Sequence, residues 1–250
     1  KSKIVVQGSG RRKEEEKLWK ICRSDNDYLE IEEVNKYKYL GIWIGREEKA
    51  HSKYIEENIY WQREQIKVVA EQSYDQPTVL CTLWRNSLSN SITYGLHAMS
   101  VKDTTMEKLE KLQTGIAKEV LGVSRSTHNK VVLGALGWLP LKIERKIKMV
   151  NLWMKWIKKE ENTVERIILK CVESNGASKW FEEVKEVISE YNLPEEINKK
   201  GGAKPKIISE IIRKKEWENW RNSMETRESK FTFSPTSKFT FNPRIPLQLR

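Results

Sequence analysis

The hydrophobic period of this chain changes once, near residue 46, and that change constrains the fold more than any other feature. Before it, apolar residues alternate or come in short runs: Ile4-Val5-Val6, then Tyr28-Leu29-Glu30-Ile31, then Tyr37 to Ile44, with Gly, Asp and Asn between them as turn formers. After it they recur every three to four residues, as on the buried face of a helix. The expected fold class is mainly α, with a small β-hairpin region at the N-terminus followed by helices. Read as one strand, the run from Tyr37 to Ile44 puts Leu40, Ile42 and Ile44 on one face and Tyr37, Tyr39, Gly41 and Trp43 on the other. Gly41 leaves a gap where another backbone could approach.

The helical part carries its own punctuation. Ile55, Ile59, Ile66 and Val69 mark a first amphipathic segment that Pro77 stops. A second helix is expected over Val79 to Asn90, with Tyr94-Gly95 ending the apolar stretch after it. The third is the best specified: Thr104 and Glu107 have capping-box spacing, Leu109, Leu112, Ile116 and Val120 form a stripe, and Gly122 closes it. Gly134, Gly137 and Pro140 mark a loop around Trp138, and a long basic helix is expected from Leu141 to Lys159. Shorter helices follow. One is capped by Asn162 or Thr163 and bears Val164, Ile167, Ile168 and Cys171. Another bears Phe181, Val184, Val187, Ile188 and Tyr191 and stops at Pro194. A Gly201-Gly202 and Pro205 linker leads to a last helix through Ile208, Ile211, Ile212 and Trp220. Near the end, Ser229-Lys-Phe-Thr-Phe-Ser-Pro235 repeats as Ser237-Lys-Phe-Thr-Phe-Asn-Pro243; two copies are too few for a solenoid and suggest an extended arm or a tail.

Composition narrows the class of partner. Lys and Arg number 46 against 35 acidic residues, a net charge of +11, so the far field attracts polyanions, with solvated helix faces as the plainer explanation of the same charges. Ten Trp argue for several half-buried elements rather than general disorder. No apolar run approaches the roughly 20 residues of a spanning helix, so no membrane partner is expected. Cys22, Cys81 and Cys171 are odd in number and lack CxxC spacing, which encodes neither a disulfide framework nor a zinc knuckle and fits a reducing, intracellular compartment. The chain opens on Lys1-Ser2-Lys3 without a charged-then-apolar leader, and reads as a segment of a longer protein.

Catalytic chemistry is not visible in the residues. Metal-assisted phosphoryl transfer needs clustered carboxylates, and the four Asp (Asp25, Asp27, Asp75 and Asp103) stand apart in turn or capping contexts. His51, His97 and His128 have no ligand spacing and no nucleophile partner, and Gly8-Ser9-Gly10 lacks the rest of a phosphate-binding loop. Binding chemistry is better represented. Lys108, Lys111 and Lys118 fall opposite the Leu109, Leu112, Ile116 stripe at 100° per residue. Lys142, Arg145, Lys146 and Lys148, followed by Lys155, Lys158 and Lys159, run along the next long helix beside Trp153 and Trp156. A surface of snorkelling lysines is the plain alternative for any one of them.

The succession of blocks adds a resemblance. Tyr37-Lys-Tyr-Leu-Gly-Ile-Trp-Ile44 resembles the block that closes the palm in reverse transcriptases of LINE-type (non-LTR) retrotransposons. Lys1-Ser2-Lys3-Ile4-Val5-Val6 is similar to the strand that precedes that block. Ile92-Thr-Tyr-Gly95, Leu109-Glu-Lys-Leu-Gln113, Val120-Leu-Gly122 and Leu136-Gly-Trp-Leu-Pro-Leu141 follow in the order of that family's thumb. The resemblance covers about residues 1 to 156. It implies a division into the end of the palm with a primer-grip-like hairpin (1–46), a helical thumb (47–160), a helical connector (161–228) and an extended or flexible tail (229–250).

The resemblance further implies that Tyr39, Leu40 and Gly41 belong to the primer grip and that Lys1, with Lys3 in the same strand, lies near phosphates. It makes the basic helices contacts for an RNA template and DNA primer hybrid, read by shape and phosphate. The expected function is thus a duplex-gripping part of an RNA-directed DNA polymerase, with the rest of the polymerase as partner and a nuclear site of action. The family's aromatic-x-Asp-Asp box is absent from this sequence, so no cofactor is expected for the segment itself, while Mg²⁺ is expected in the complete polymerase. The alternative is a stand-alone helical interaction module, a decayed or repurposed thumb whose Trp-rich faces bind protein. A sequence-specific DNA reader is disfavoured, because no helix-turn-helix, zinc-finger or basic-zipper pattern is present.

Overall fold

The computed structural model describes residues 3–4, 18–24, 27–39, 42–45, 55–56, 59–61, 63–65, 68, 77–175, 178–193 and 204–225. The chain is mainly helical with a small β region near the N-terminus, as the change of period predicts. It divides into two compact units, residues 1–62 and 63–250. The Phe-Thr-Phe repeat and the expected linker at Gly201-Gly202 lie outside the described residues.

The first unit holds two small sheets. Strand β1 (Lys3–Ile4) pairs in parallel with β3 (Asp27–Glu33), and β2 (Leu18–Ser24) pairs antiparallel with β3. In this register Trp19 lies opposite Ile31, Lys20 opposite Glu30 and Ile21 opposite Leu29. Ile31 is buried. Strand β2 has no counterpart in the sequence reading, because its Trp19 and Ile21 alternate just after a charged run that masks the pattern.

The run from Tyr37 to Ile44 is not one strand. It folds into a hairpin of β4 (Lys36–Tyr39) and β5 (Ile42–Gly45), with Tyr37 opposite Ile44, Lys38 opposite Trp43 and Tyr39 opposite Ile42. Pairing therefore replaces the expected aliphatic and aromatic faces: Tyr37 and Ile42 share one side, and Lys36, Lys38 and Trp43 the other. Lys36 lies over the Trp43 ring, 5.0 Å from its centroid.

In the second unit, Pro77 opens helix α1 (Pro77–Leu83), where its missing N–H costs nothing. The helix continues through a π turn, Trp84–Leu88, into α2 (Ser89–Ile92). The turn places Trp84 flat on Trp138, with centroids 5.1 Å apart. Gly95, at φ 75°, reverses the chain into a short 3-10 turn, Leu96–Ala98. Helix α3 spans Asp103–Leu121 and buries Leu109, Leu112, Ile116 and Val120 as the stripe requires, and Gly122 ends it at φ 63°. The expected capping box does not form. The helix starts one residue before Thr104, Lys102 occupies the cap position without a side-chain capping bond to the helix, and its carbonyl accepts from Thr105 and Met106.

Gly134 lies inside helix α4 (Asn129–Leu136) rather than in a loop. The physical reason is Trp220, whose indole packs so closely on Gly134 that a Cβ there would sit 2.6 Å from Cε2. That indole N–H also donates to the Lys130 carbonyl at 2.8 Å. Helix α5 (Leu141–Ile157) is the centre of the unit. With α6 (Val164–Asn175), α7 (Lys179–Glu190) and α8 (Pro205–Glu225) it forms a core that includes Val150, Trp153, Met154, Leu169, Val184, Ile208 and Ile212. Ser178 caps α7, accepting from the Phe181 N–H at 3.4 Å. The residues whose spacing marks α6, Val164, Ile167, Ile168 and Cys171, are exposed, while Leu169 joins the core.

Candidate nucleic-acid interface

Helix α3 is amphipathic over five turns, so burying one face leaves the other as an outward stripe. Lys108, Lys111, Gly115 and Lys118 follow one another at i, i+3, i+7 and i+10, a spacing that keeps all four on that stripe. Lys108, Lys111 and Gly115 are exposed and Lys118 is half-buried. Around Gly115 the surface is open, with no heavy atom within 4 Å of the position a Cβ would occupy. Exposed Glu107 and Glu119 flank the stripe and reduce its surplus of positive charge.

Lys118 reaches past the end of α3 to donate to the Arg125 carbonyl at 2.8 Å, which brings exposed Arg125 beside the stripe. Gly115 and Arg125 are additions that the sequence reading missed. The first carries no charge to notice, and the second lies in a turn whose return toward α3 is a tertiary event.

The cations of α5 do not form a second open stripe. Arg145 is buried: its Nε donates to the Leu96 carbonyl at 3.0 Å, and its Nη2 to the Met99 carbonyl at 2.7 Å and to Glu183 Oε2 at 2.6 Å. Ser100 donates to the other Glu183 oxygen, and the Trp180 indole donates to the His97 carbonyl at 2.8 Å. Arg145 is therefore the pin that fastens residues 96–100 to α5 and α7, which removes it from the predicted set of phosphate contacts. Lys148 turns the same way and donates to Thr93 Oγ1 at 3.2 Å. Lys146 pairs with Glu190 at 2.5 Å and lies over the Tyr191 ring. Lys142 is exposed and approaches Asp103 at 3.7 Å, a loose surface pair. One basic helix has thus been divided among three internal connections.

Of the remaining predicted residues, Lys3 lies in β1 and Tyr39 ends β4; Lys1, Leu40 and Gly41 lie outside the described residues.

Local electrostatics follow burial more than chemistry. His97 is pushed below the ordinary histidine value by burial first, then by Lys148 and Arg145. Burial raises Glu110 and Glu144, and it raises the Cys81 thiol. Tyr191 is pushed far above an ordinary phenol by burial, by its hydrogen bond to Glu216 at 2.7 Å and by the Glu216 and Glu190 charges.

Among the described residues no group of three His, Cys, Asp or Glu is close enough to hold a metal ion, and the one described Asp in a helix, Asp103, faces Lys142. Among the described residues no helix is long and apolar enough to cross a membrane. No family model matches the chain, and neither a curated protein nor a solved structure matches it.

Proposed function

We propose that this chain is a duplex-gripping part of an RNA-directed DNA polymerase of the LINE type, in which the outer face of α3 lies along the phosphates of the template-primer hybrid. The observation that carries the reading is the Lys108, Lys111, Gly115, Lys118 stripe, on a helix whose blocks resemble the thumb of that family. Lysines supply point charges, and bare backbone at Gly115 lets a sugar-phosphate chain approach between them without a steric bar. Contacts of this kind tolerate any base sequence. The catalytic carboxylates and their Mg²⁺ would belong to another part of the polymerase.

Retention of an RNA/DNA hybrid as a function of salt tests this. Three phosphate contacts give a slope of log affinity against log salt of about −2 to −3, and K108Q/K111Q lowers the slope by about 1.5. A flat salt response, or a double variant that binds like the parent, sinks the proposal.

A second reading is a protein-binding helical module, supported by the exposed Val164, Ile167 and Ile168 stripe of α6. It predicts no hybrid retained at low salt.

A further inference from the structure

Helices α5, α6 and α7 do not close completely on one another. Between them lies a cleft, open to solvent, of about 400 Å³, within the range of small-molecule sites. Its floor is apolar and partly aromatic, built from Trp153 and Ile157 of α5 and from Phe181 and Ile188 of α7. Arg166 of α6 stands in its wall, half-buried, and among the described residues it has neither an ion-pair nor a hydrogen-bond partner.

The neighbouring ions are accounted for differently. Lys185, also in the wall, is 3.0 Å from Glu182 and lies over the Phe181 ring, so its charge is already offset. Glu173 follows Arg166 by two helical turns, about 10 Å along α6, too far to neutralise it. A half-buried guanidinium offers five donors in a fork suited to a carboxylate, sulfonate or phosphate. An anion entering the cleft could meet it without displacing a described partner.

We propose that this cleft binds a small amphipathic anion: a ring-sized apolar body on Trp153, Ile157, Phe181 and Ile188, with its anionic group on Arg166. The proposal is independent of the nucleic-acid reading. The position of Arg166 in the wall sets the anionic group beside the apolar body.

The test uses the full chain with its ten Trp labelled by ¹⁵N at the indole, so that the signal missing from W153F identifies Trp153. The probes are 1-naphthyl phosphate and its uncharged counterpart 1-naphthalenemethanol. The expected result is a saturable shift of the Trp153 signal with the phosphate. R166Q should weaken that response by about ten-fold or more, the usual worth of a charge-assisted pair, while the response to the alcohol changes less than about two-fold. The other nine indole signals report whether R166Q has kept the fold. A Trp153 signal that ignores the phosphate overturns the proposal. So does an equal response to both probes, which would make the cleft a seat for an uncharged group such as a partner's apolar side chain.

Discussion

Replacing glycine by alanine at three places in this chain should give three different results, and the structure assigns the sign of each. At Gly115 the backbone is helical, the site is exposed, and nothing lies within 4 Å of the new Cβ. The substitution only removes freedom from the unfolded chain and restores helix propensity, so G115A should stabilise by about 1 kcal/mol. At Gly122 there is also space, but φ is +63°, where a Cβ meets its own carbonyl. G122A should cost about 1 to 2 kcal/mol. At Gly134 the backbone is helical, yet the new methyl would lie 2.6 Å from Cε2 and 2.9 Å from Nε1 of Trp220.

An indole is rigid, and this one is held by its bond to the Lys130 carbonyl, so either α8 shifts or the bond breaks. Overpacking of that kind costs about 1 to 3 kcal/mol. Urea denaturation of the parent and the three variants measures all of this, with each kcal/mol equivalent to about 2 to 4 °C in a thermal scan of a body this size. The Trp220 indole signal should move in G134A and stay in place in the other two. Three shifts of the same sign, or a G115A that unfolds earlier than the parent, would refute the reasoning, because the local chemistry of the three substitutions is identical.

Other expectations follow from the same contacts. R145M leaves Glu183 charged and two carbonyls unmet, and should lower the unfolding free energy by about 3 kcal/mol, part of which E183Q restores in the double variant; urea midpoints decide. Because Tyr191 keeps its proton in the fold while an unfolded tyrosine releases it near pH 10, stability should fall as pH rises past about 10. In Y191F that alkaline slope should flatten, and an absorbance titration should find one tyrosinate fewer appearing only on unfolding. His97 has the opposite dependence. Its folded value is depressed, so the unfolded chain takes up the proton first, and stability should decline as pH drops below about 6.5. H97Q should melt with less change between neutral and mildly acid pH.

Period carried most of the fold. The α3 stripe, its stop at Gly122 and the start of α5 at Leu141 are local properties: apolar spacing selects a face, and a glycine that can adopt positive φ ends the helix. The misreadings are tertiary. Gly134 reads as a breaker until Trp220 arrives from 86 residues away to occupy the space that a side chain would take. Tyr37 to Ile44 reads as one strand until its halves pair with each other. Arg145 and Lys146 are neighbours in a basic run, but consecutive residues of a helix point about 100° apart. One therefore enters the joint with residues 96–100, and the other meets Glu190 at the rim. A count of lysines and arginines cannot separate these fates. The acceptors that decide them are backbone carbonyls and distant carboxylates, which leave no local mark in the sequence.

Helix α6 shows where periodicity gives phase but not direction. Val164, Ile167, Ile168 and Cys171 have the spacing of a buried face, yet all four are exposed, and Leu169 is the described α6 residue that packs in the core. Covering the exposed stripe would remove from water roughly half of three side chains worth about 2 kcal/mol each, on the order of 3 kcal/mol. That is too little to hold a complex alone, since association must first offset several kcal/mol of lost freedom. It is enough to strengthen an interface that already has other contacts. The same orientation puts Arg166, one turn before Leu169, in the wall of the cleft beside α5 and α7. The exposed stripe and the cleft are both set by the phase at which Leu169 enters the core.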